Sequence, residues 1–420
     1  MNNYIIGIDV GSSKICIALG KITKRGEVQI IGVTSSKCDG VKKSIVVNID
    51  STARSIRNCM AKLKKMVDIN LDDVYVALHG SISELIHNKG VVAVSSDDRV
   101  ITSSDVKRVI ESTRFVSVAS GREIIGVEPQ QFIVDGYDNI KDPVGMSGTK
   151  LEADVQVITV NSNIVDNLIK SVNKAGYNVK GLCFEPKVVS NVVLTKHERE
   201  IGCALVDVGT ENTNIAIVKN DNIVYIDNVP LGGDSITKDM ALGLKIPFEE
   251  AEKIKIKYAN IEPNSDDGNE KINIKVPYNG NVNVDYSFLK LIVQSRIEEL
   301  YELVRKKLIS KNYYNEVTNV VIVGGGVALI KGAVGVGRRI MDKNVRIGSS
   351  NFVGASSPMH VSAVGIVSDI GYNMKSSNLF SNDKEDCKNE DKNLWNKNVK
   401  RDEEKISVFS KVKDFLTDLF

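Results

Sequence analysis

A four-residue pattern occurs twice in this chain, and its repetition constrains the fold more than any other feature. Asp9-Val10-Gly11-Ser12 and Asp207-Val208-Gly209-Thr210 each follow an apolar run, and their first residues are 198 positions apart. The same offset aligns Ile17-Ala18 with Ile215-Ala216 without a gap. Solenoid repeats have periods of about 20–50 residues. The longer spacing therefore predicts two lobes built on the same strand–turn–strand unit.

Short β-branched runs alternate with helical patterns between and after these two units, which is typical of a layered α/β protein. The helical patterns predict helices at Ser51–Met66, Ser104–Arg114, Ser162–Ala175, Asp234–Leu244 and Tyr286–Ser310. The stretch Asn264–Asp285 is rich in Asn, Asp and Gly, which indicates loops with one hairpin. The 420 residues suffice for two to four domains.

Charge and composition exclude several classes of function. Lys and Arg number 55 against 53 Asp and Glu, and aromatic residues make up 5%, which gives neither a general attraction to nucleic acid nor a base-stacking surface. Six cysteines form no CxxC pair and four histidines form no metal-spaced cluster, which indicates a reduced cytosolic protein without zinc. The most apolar stretch, Val320–Val336, contains five glycines and a lysine. We therefore expect no membrane-spanning helix and no signal peptide.

Each repeated unit has the composition of a phosphate-binding hairpin. A glycine and small hydroxyl residues at a tight turn expose backbone N–H groups that can wrap a phosphate. Asp9 and Asp207 precede the turns and can hold Mg²⁺ through water, while Lys14 can reach a phosphate as a point charge. One such turn alone is more often an ordinary hairpin. Two copies in register favour a triphosphate site between facing hairpins.

A third glycine-rich element follows the second unit. The apolar run Val320–Val323 leads into Gly324, Gly325 and Gly326. Backbone without side chains can approach a flat ligand such as adenosine, although a simple turn is the common alternative. The chain has neither a Gly-x-Gly-x-x-Gly pattern after its first strand nor a GxxxxGK[ST] phosphate loop. These absences argue against dinucleotide-binding and P-loop folds.

The order of these elements resembles the superfamily of actin, heat-shock chaperones and sugar kinases. Two phosphate hairpins are separated by the connecting segment Gly181–Leu194, and the glycine-rich strand is followed by a closing helix at Pro358–Ile370. Within this superfamily, nearly the whole chain is similar to the FtsA family of bacterial cell-division proteins. The most specific stretch is Ile140–Val155, which looks like the hallmark of the extra subdomain of FtsA, called 1C. Its remaining pieces are matched by Asn88–Val94, Ile101–Val106 and Arg122–Gly136.

The resemblance implies an actin-like, two-lobed α/β fold with a duplicated mixed-sheet core, an SHS2-type 1C insert and a C-terminal amphipathic helix. The implied boundaries are residues 1–82 and 161–200 for subdomain 1A, 83–160 for 1C, 201–230 and 307–372 for 2A, 231–306 for 2B, 373–404 for a disordered charged linker and 405–420 for the membrane-targeting helix. In the FtsA family, subdomain 1C takes part in protomer contacts.

Transferred to this sequence, the resemblance also implies an ATP and Mg²⁺ site. Asp9 and Asp207 match the metal-side carboxylates, and Glu185 stands where related filament proteins carry a glutamate that orients the attacking water. From the residues alone, Glu185 is equally a carboxylate at a helix start. The residues that match ATP contacts are Gly11, Ser12, Ser13, Lys14, Gly209, Thr210, Gly232, Gly233, Glu252, Lys255, Gly324, Gly325 and Gly326.

Two points of this site stay open from the sequence. Glu252 and Lys255 share a helix face, and without the resemblance this spacing more often indicates a solvent-exposed ion pair. Glu211 stands in the second phosphate turn, where relatives are glycine-rich, and a carboxylate aimed at a triphosphate is repulsive by at least about 1 kcal/mol. Glu211 therefore points outward, coordinates the cation or weakens nucleotide binding.

We expect at most a weak ATPase in a mainly structural adaptor. Gly126 replaces a histidine common in the family, and we assign it no role.

A charged segment and an apolar stripe end the chain. Ser381–Lys405 contains eight acidic and seven basic residues, which indicates a flexible tether. The helix that follows is about 24 Å long, too short to span a bilayer. It is either a membrane-surface helix, as in the FtsA family, or a core helix that returns to a domain. The stripe consists of Val408, Phe409, Val412, Phe415, Leu416, Leu419 and Phe420.

The resemblance thus implies an ATP-binding protein that polymerises on the inner membrane surface at the division site. It anchors FtsZ through the FtsZ C-terminal tail and helps to assemble downstream division proteins. The tail contact falls on 231–306, where a basic set either meets an acidic peptide or is a solvated face: Lys253, Lys255, Lys257, Arg296, Arg305 and Lys306. A small-molecule kinase of the same superfamily is the alternative, although Gly181–Leu194 offers Glu185 and no aspartate as a base. A heat-shock chaperone needs a large domain after residue 372, where 48 residues remain.

Overall fold

The computed structural model describes residues 4–23, 25–67, 72–263, 271–276 and 280–382. The strands are β1 (Tyr4–Val10), β2 (Lys14–Ile22), β3 (Val28–Lys37), β4 (Val41–Lys42), β5 (Ile45–Val46), β6 (Asp73–Leu78), β7 (Ser83–Ala93), β8 (Arg122–Val134), β9 (Tyr137–Ile140), β10 (Lys150–Asn161), β11 (Asn178–Phe184), β12 (Cys203–Val208), β13 (Thr213–Lys219), β14 (Asn222–Val229), β15 (Lys271–Val276), β16 (Gly280–Asp285), β17 (Asn319–Val323) and β18 (Asn344–Ile347). The α-helices are α1 (Ile49–Met66), α2 (Ser103–Ser112), α3 (Ser162–Lys174), α4 (Glu185–Val193), α5 (Lys196–Ile201), α6 (Gly233–Leu244), α7 (Phe248–Tyr258), α8 (Tyr286–Ser310), α9 (Ala333–Met341) and α10 (Val361–Asn382).

Two five-stranded sheets with the same topology form the cores of two lobes. Their strand orders are β3-β2-β1-β6-β11 and β14-β13-β12-β17-β18. In each sheet the first three strands are antiparallel and the last two are added in parallel. Asp9 pairs with Cys16, and Asp207 pairs with Asn214 at the same relative position. This matching register confirms the predicted duplication of a mixed-sheet core.

The first sheet is buried on both faces, which explains why β1 and β2 are nearly continuous apolar runs. Helix α1 packs against β2 and β3, and α10 packs across β1 and β2. Two glycines allow α10 to approach closely. A Cβ at Gly7 would lie 2.6 Å from the carbonyl oxygen of Ala363, and one at Gly20 would lie 2.2 Å from Cγ1 of Val367.

Helix α10 requires two corrections to the expected boundaries. Residues 361–372 were expected in subdomain 2A, but the buried side chains of α10 join the core of the first lobe, since the first sheet has the glycines that admit a helix. The helix also continues to Asn382 and so covers the start of the segment 373–404 that was expected to be a disordered linker. The remainder of that segment and the terminal helix 405–420 lie outside the described residues.

The outer face of the second sheet is covered by helices α6, α7, α8 and α9, which form a separate buried core with it. The predicted helix Tyr286–Ser310 is confirmed with the same bounds. The predicted hairpin within Asn264–Asp285 is also confirmed, because β15 and β16 pair antiparallel from Lys271 to Asp285. Asp285 accepts a hydrogen bond from the N–H of Ser287 and so caps the start of α8.

The region between β6 and α3 has its own sheet and its own core. Its strand order is β7-β10-β8-β9, and α2 packs on one face over a third apolar cluster. Pro129 sits in β8 next to a shift of register against β10, where a proline is tolerated because the ladder is interrupted. The stretch Ile140–Val155 forms the end of β9, a turn and the first half of β10. Asn222 of the second lobe donates to the Gln130 carbonyl at 2.9 Å.

Candidate functional site

The turns of the β1–β2 and β12–β13 hairpins face each other. In the first, the N–H of Gly11 donates to the carbonyl of Lys14 at 3.0 Å; in the second, the N–H of Gly209 donates to the carbonyl of Asn212 at 2.9 Å. Both turns are tight, because a Cβ on either glycine would lie 3.0–3.1 Å from the same carbonyl oxygen. The tips meet where Ser13 Oγ lies 2.6 Å from Thr210 Oγ1. The predicted facing of two equivalent hairpins is therefore present.

The glycine-rich segment after β17 packs against the second hairpin. Gly324 has φ +86°, and a Cβ there would lie 2.2 Å from Asp207 Oδ1. Gly326 donates its N–H to the carbonyl of Val208 at 2.8 Å, and a Cβ there would lie 2.4 Å from the carbonyl oxygen of Gly209. These positions require glycine because backbone from two segments shares the same space. The structure therefore brings the third predicted element to the second hairpin.

Gly232 and Gly233 close the same side of the site. A Cβ on Gly232 would lie 2.5 Å from the Thr210 carbonyl oxygen, and the Gly233 N–H donates to the carbonyl of Gly209 at 2.9 Å. Helix α6 starts at Gly233, so its first N–H groups lie beside the second phosphate turn.

Glu252 and Lys255 lie next to this glycine pair, and the interpretation as a solvent-exposed ion pair is wrong for Lys255. Its ammonium is buried and donates to the Gly233 carbonyl at 3.0 Å and to Thr237 Oγ1 at 2.7 Å. It also lies 2.7 Å from a carboxylate oxygen of Glu252, which is only partly exposed. A buried, fully paired ammonium fixes the end of α7 against α6 beside the site.

Lys14 points into the cleft between the lobes. Its Nζ donates to the Met359 carbonyl at 3.0 Å and would lie 3.9 Å from a Cβ on Gly325. Burial lowers the pKa of Lys14, and the nearby Cys16, Asp9 and Asp207 offset part of this effect. Lys14 therefore links the first hairpin to the segment that leads into α10.

Three carboxyl groups and an imidazole converge behind the hairpin tips. Asp9 Oδ1 lies 3.1 Å from His79 Nε2, and both side chains are about nine-tenths buried. Burial alone would lower the pKa of His79, but the bond to Asp9 and the charges of Glu185 and Asp207 raise it to about 9. His79 is therefore an imidazolium that neutralises part of a crowded negative site.

The other two carboxyl groups have raised pKa values. Burial and the charge of Asp207 raise the pKa of Glu185 to about 8, against the opposing effect of His79. Burial raises the pKa of Asp207 to about 6, although His79 and Lys14 favour its charged form. Burial thus disfavours the charged forms of both groups, and an added cation would stabilise those forms there.

Sequence reasoning missed His79. A signal was available, since β6 lies parallel to β1 and their carboxyl ends share one edge of the sheet. His79 is the first residue after β6, just as Asp9 stands at the end of β1. The imidazole comes from a segment with no counterpart in the repeated hairpins, so the repeat itself did not point to it.

The donor set fits a hydrated Mg²⁺ better than a directly bound metal. Among the described residues, no three His, Cys, Asp or Glu side chains are arranged to hold a metal ion together. Asp9 and Asp207 supply hard oxygen ligands at the ends of β1 and β12, which suits a cation that keeps most of its water. The sequence leaves three alternatives for Glu211, of which coordination of the cation is one. Its carboxylate instead accepts from the N–H of Lys43.

The predicted membrane residues are not placed by the structure. The stripe that includes Phe409 and Phe415 lies outside the described residues. Within the part of the chain that is described, no helix has both the length and the apolar character needed to cross a bilayer.

Two lobes of identical sheet topology, joined at facing hairpins with a glycine-rich strand on the second, define an actin-like protein. Solved structures agree on the fold. The structure of a PilM–PilN type IV pilus biogenesis complex matches with a TM-score of 0.61 at 14% identity, covering 88% of this chain and 98% of that one. MreB5 of Spiroplasma citri bound to ADP matches with a TM-score of 0.54 at 10% identity, covering 90% and 98%.

The particular family follows from the sequence comparisons. The family model described as Cell division protein FtsA matches residues 204–365, and that of the SHS2 domain inserted in FTSA matches residues 80–159. The cell division protein FtsA of Bacillus subtilis (strain 168) is 33% identical, with 87% of this chain and 83% of that protein covered. FtsA of Borreliella burgdorferi is 32% identical, with 87% and 90% covered. The chain belongs to the FtsA family of cell division proteins.

Proposed function

We propose that the facing hairpins bind ATP with Mg²⁺ and that the loaded protein assembles into polymers on the inner membrane surface. The observation that carries the proposal is the pair of equivalent turns, whose hydroxyl tips meet at 2.6 Å between Ser13 and Thr210. Two backbone turns of equal geometry offer N–H donors to a phosphate chain from both sides. An ordinary hairpin has no need of a partner placed opposite to it.

We assign the residues roles that their positions support. The phosphate contacts are the two hairpin turns, with Gly11, Ser12, Ser13 and Lys14 on one side and Gly209 and Thr210 on the other. The adenosine contacts are the glycine segments and the buried pair: Gly232, Gly233, Glu252, Lys255, Gly324, Gly325 and Gly326. Asp9 and Asp207 would hold Mg²⁺ through water, and the ion would neutralise phosphate charge.

We assign Glu185 the role of positioning a water molecule. It is 2% exposed at the start of α4 and lies within the same charged cluster as Asp207. With a pKa of about 8 it is largely protonated at neutral pH, so it is a poor base in this state. This supports a protein whose hydrolysis is weak and whose main role is structural.

We propose further that the 231–306 region binds the acidic C-terminal tail of FtsZ. Its surface combines exposed apolar side chains with lysines: Leu242 and Ile256 are each 77% exposed, and Lys253 and Lys257 lie on the exposed face of α7. Lys255 belongs to the predicted basic set, but it is buried and therefore does not offer its charge to the tail. Arg296 is paired with Asp239 and Lys253 with Glu250, each at 2.7 Å, so Lys257, which is exposed and lies over the Tyr258 ring, is the better candidate for contact with the tail.

The terminal stripe would then attach the polymer to lipid at the division site, on the cytoplasmic face, where downstream division proteins assemble. A single helix of this length binds weakly, whereas a polymer presents many copies and gains avidity. FtsZ held by the polymer is thereby tethered to the membrane.

The test is flotation of purified protein with lipid vesicles, FtsZ, ATP and Mg²⁺. We expect the full chain to carry FtsZ upward with the vesicles and a chain ending at Glu404 to leave it behind. A matched pair of variants isolates the stripe: Leu416→Asp interrupts it, whereas Thr417→Asp adds the same charge on the polar face. Flotation that survives Leu416→Asp, or that fails in the full chain, would contradict the tether and make a substrate screen for a kinase the next step.

A further inference from the structure

The turn between β4 and β5 is held in a conformation that its residues do not favour. Lys43 has φ +47° and Ser44 has φ +65°, so both central residues of this two-residue hairpin are left-handed. Such turns normally carry Asn or Gly, because other side chains raise the energy of this region. Interactions outside the hairpin must therefore hold it.

These interactions come from the tips of both phosphate hairpins. The N–H of Lys43 donates to the Glu211 carboxylate at 2.6 Å, and the N–H of Ser44 donates to Ser12 Oγ at 3.3 Å. Ser81 Oγ donates to Ser44 Oγ at 3.3 Å and supports the turn from behind. The turn thus has one hydrogen bond to each lobe's hairpin.

Of these bonds, the one between Lys43 and Glu211 crosses between the lobes. In the aligned repeats Glu211 stands opposite Ser13, whose hydroxyl makes the other contact between the tips, with Thr210. The carboxylate is partly exposed, and its short hydrogen bond to a backbone amide is charge-assisted. Because the Glu211 carboxylate accepts from the N–H of Lys43, it points toward the first lobe.

We propose that Glu211 and the Lys43–Ser44 turn form an inter-lobe clasp that holds the two phosphate hairpins together at their tips. The clasp rests on side-chain and backbone contacts alone. Its consequence for ligand release rests on the proposed function: because a nucleotide between the hairpins leaves when the lobes separate, the clasp slows its release.

Amide hydrogen exchange of the full chain without nucleotide tests the clasp itself. We expect the Lys43 amide to exchange about threefold to tenfold faster in Glu211→Ala than in the wild type, as loss of one charge-assisted bond at a partly exposed site predicts. Glu211→Asp keeps the charge but shortens the reach by one carbon, so it should behave like Glu211→Ala. Glu211→Gln keeps an acceptor oxygen and should be intermediate. Lys43→Ala is the matched control, because the bond uses only the backbone N–H.

An unchanged Lys43 amide in Glu211→Ala, or a Glu211→Asp variant that exchanges like the wild type, would overturn the clasp. Stopped-flow release of a fluorescent ATP analogue in the presence of Mg²⁺ then tests its consequence. Faster release in Glu211→Ala and Glu211→Asp supports it. Slower release in Glu211→Ala and Glu211→Gln, with Glu211→Asp unchanged, would show that the charge repels phosphate and would overturn it. A wild type that binds no ATP would refute the proposed function, while the exchange result still decides the clasp.

Discussion

The two phosphate hairpins share one backbone but differ in the chemistry of their tips and surroundings. Both close with a glycine N–H bonded to the carbonyl three residues ahead, at 3.0 Å in the first and 2.9 Å in the second. The first carries Lys14, which reaches the segment before α10. The second carries Asn212 at that position and Glu211 before it, which reaches the first lobe. The two hairpins therefore share their backbone geometry, whereas the side chains at equivalent positions make different contacts.

The aspartates that precede the turns differ in the same way. Asp9 is paired with His79, and its charge is therefore largely neutralised within the fold. Asp207 has no ion-pair partner within 4 Å among the described residues, and burial raises its pKa to about 6. The charged form of Asp207 is therefore destabilised when no cation is bound. This makes Asp207 the better candidate for contact with the cation of the ligand.

The largest expected effect contrasts these two aspartates. Asp9→Asn should lower the free energy of unfolding by about 2–3 kcal/mol, because it leaves the buried His79 without its partner. Asp207→Asn should leave that free energy unchanged or raise it, since it removes a carboxylate that is destabilised by burial. Urea denaturation at pH 7.5 without nucleotide measures both.

A double-mutant cycle provides the control. Asp9→Asn combined with His79→Gln should cost less than the sum of the two single changes, because the ion pair is lost only once. Equal destabilisation by Asp9→Asn and Asp207→Asn, with no coupling between Asp9 and His79, would show that the two hairpins do not differ in this respect.

A smaller effect concerns Glu185, whose pKa is raised by burial and by the charges of both aspartates. Its pKa is about 8 in the folded protein and about 4.5 as an ordinary glutamate, so the folded state binds the proton more tightly. The free energy of unfolding contributed by this group is therefore present below pH 4.5 and is lost as the pH rises toward 8. Glu185→Gln should be more stable than the wild type by on the order of 2 kcal/mol at pH 8, and the difference should shrink toward pH 5.

Glu27→Gln is the matched control, because it makes the same side-chain replacement at an exposed glutamate. Thermal unfolding from pH 5 to pH 8.5 measures all three proteins. A difference between Glu185→Gln and the wild type that does not change with pH would contradict the raised pKa. Where the proposed function holds, Glu185→Gln should also hydrolyse less ATP, so stability and activity should move in opposite directions.

The same comparison shows what the sequence could predict. The repeat was visible because hairpin geometry is local: the glycine, the hydroxyl residues and the flanking apolar runs are encoded within about 20 residues. The helix Tyr286–Ser310 was likewise predicted from a local pattern, whereas the duplicated mixed-sheet core and the FtsA-type insert followed from the family resemblance, and all three are confirmed. The glycine-rich strand was predicted from the sequence, whereas its place near the second hairpin is seen only in the structure, where it lies parallel and adjacent to β12.

What the sequence did not show depends on partners from distant segments. Gly7 and Gly20 correspond to Leu205 and Val218 in the second unit. This difference marks the sheet on which α10 packs, but it has meaning only once the helix is known to lie there. His79 and Lys43 likewise reach the site from outside the repeat. The three alternatives for Glu211 could not be separated from the sequence, because its partner is a backbone N–H that any residue supplies.

The smallest effect tests whether the hairpins stabilise each other at their tips. Ser13→Ala and Thr210→Val each remove one partner of the 2.6 Å hydrogen bond between the lobes, and each should lower the free energy of unfolding by about 1 kcal/mol. The double variant should cost little more than either single change, because the same bond is lost in all three proteins. Urea denaturation of the full cycle measures this coupling. Strictly additive losses would mean that each hydroxyl is satisfied within its own lobe. The tips would then be neighbours without a stabilising contact, and the bond from Glu211 to the Lys43–Ser44 turn would remain as a link between the lobes.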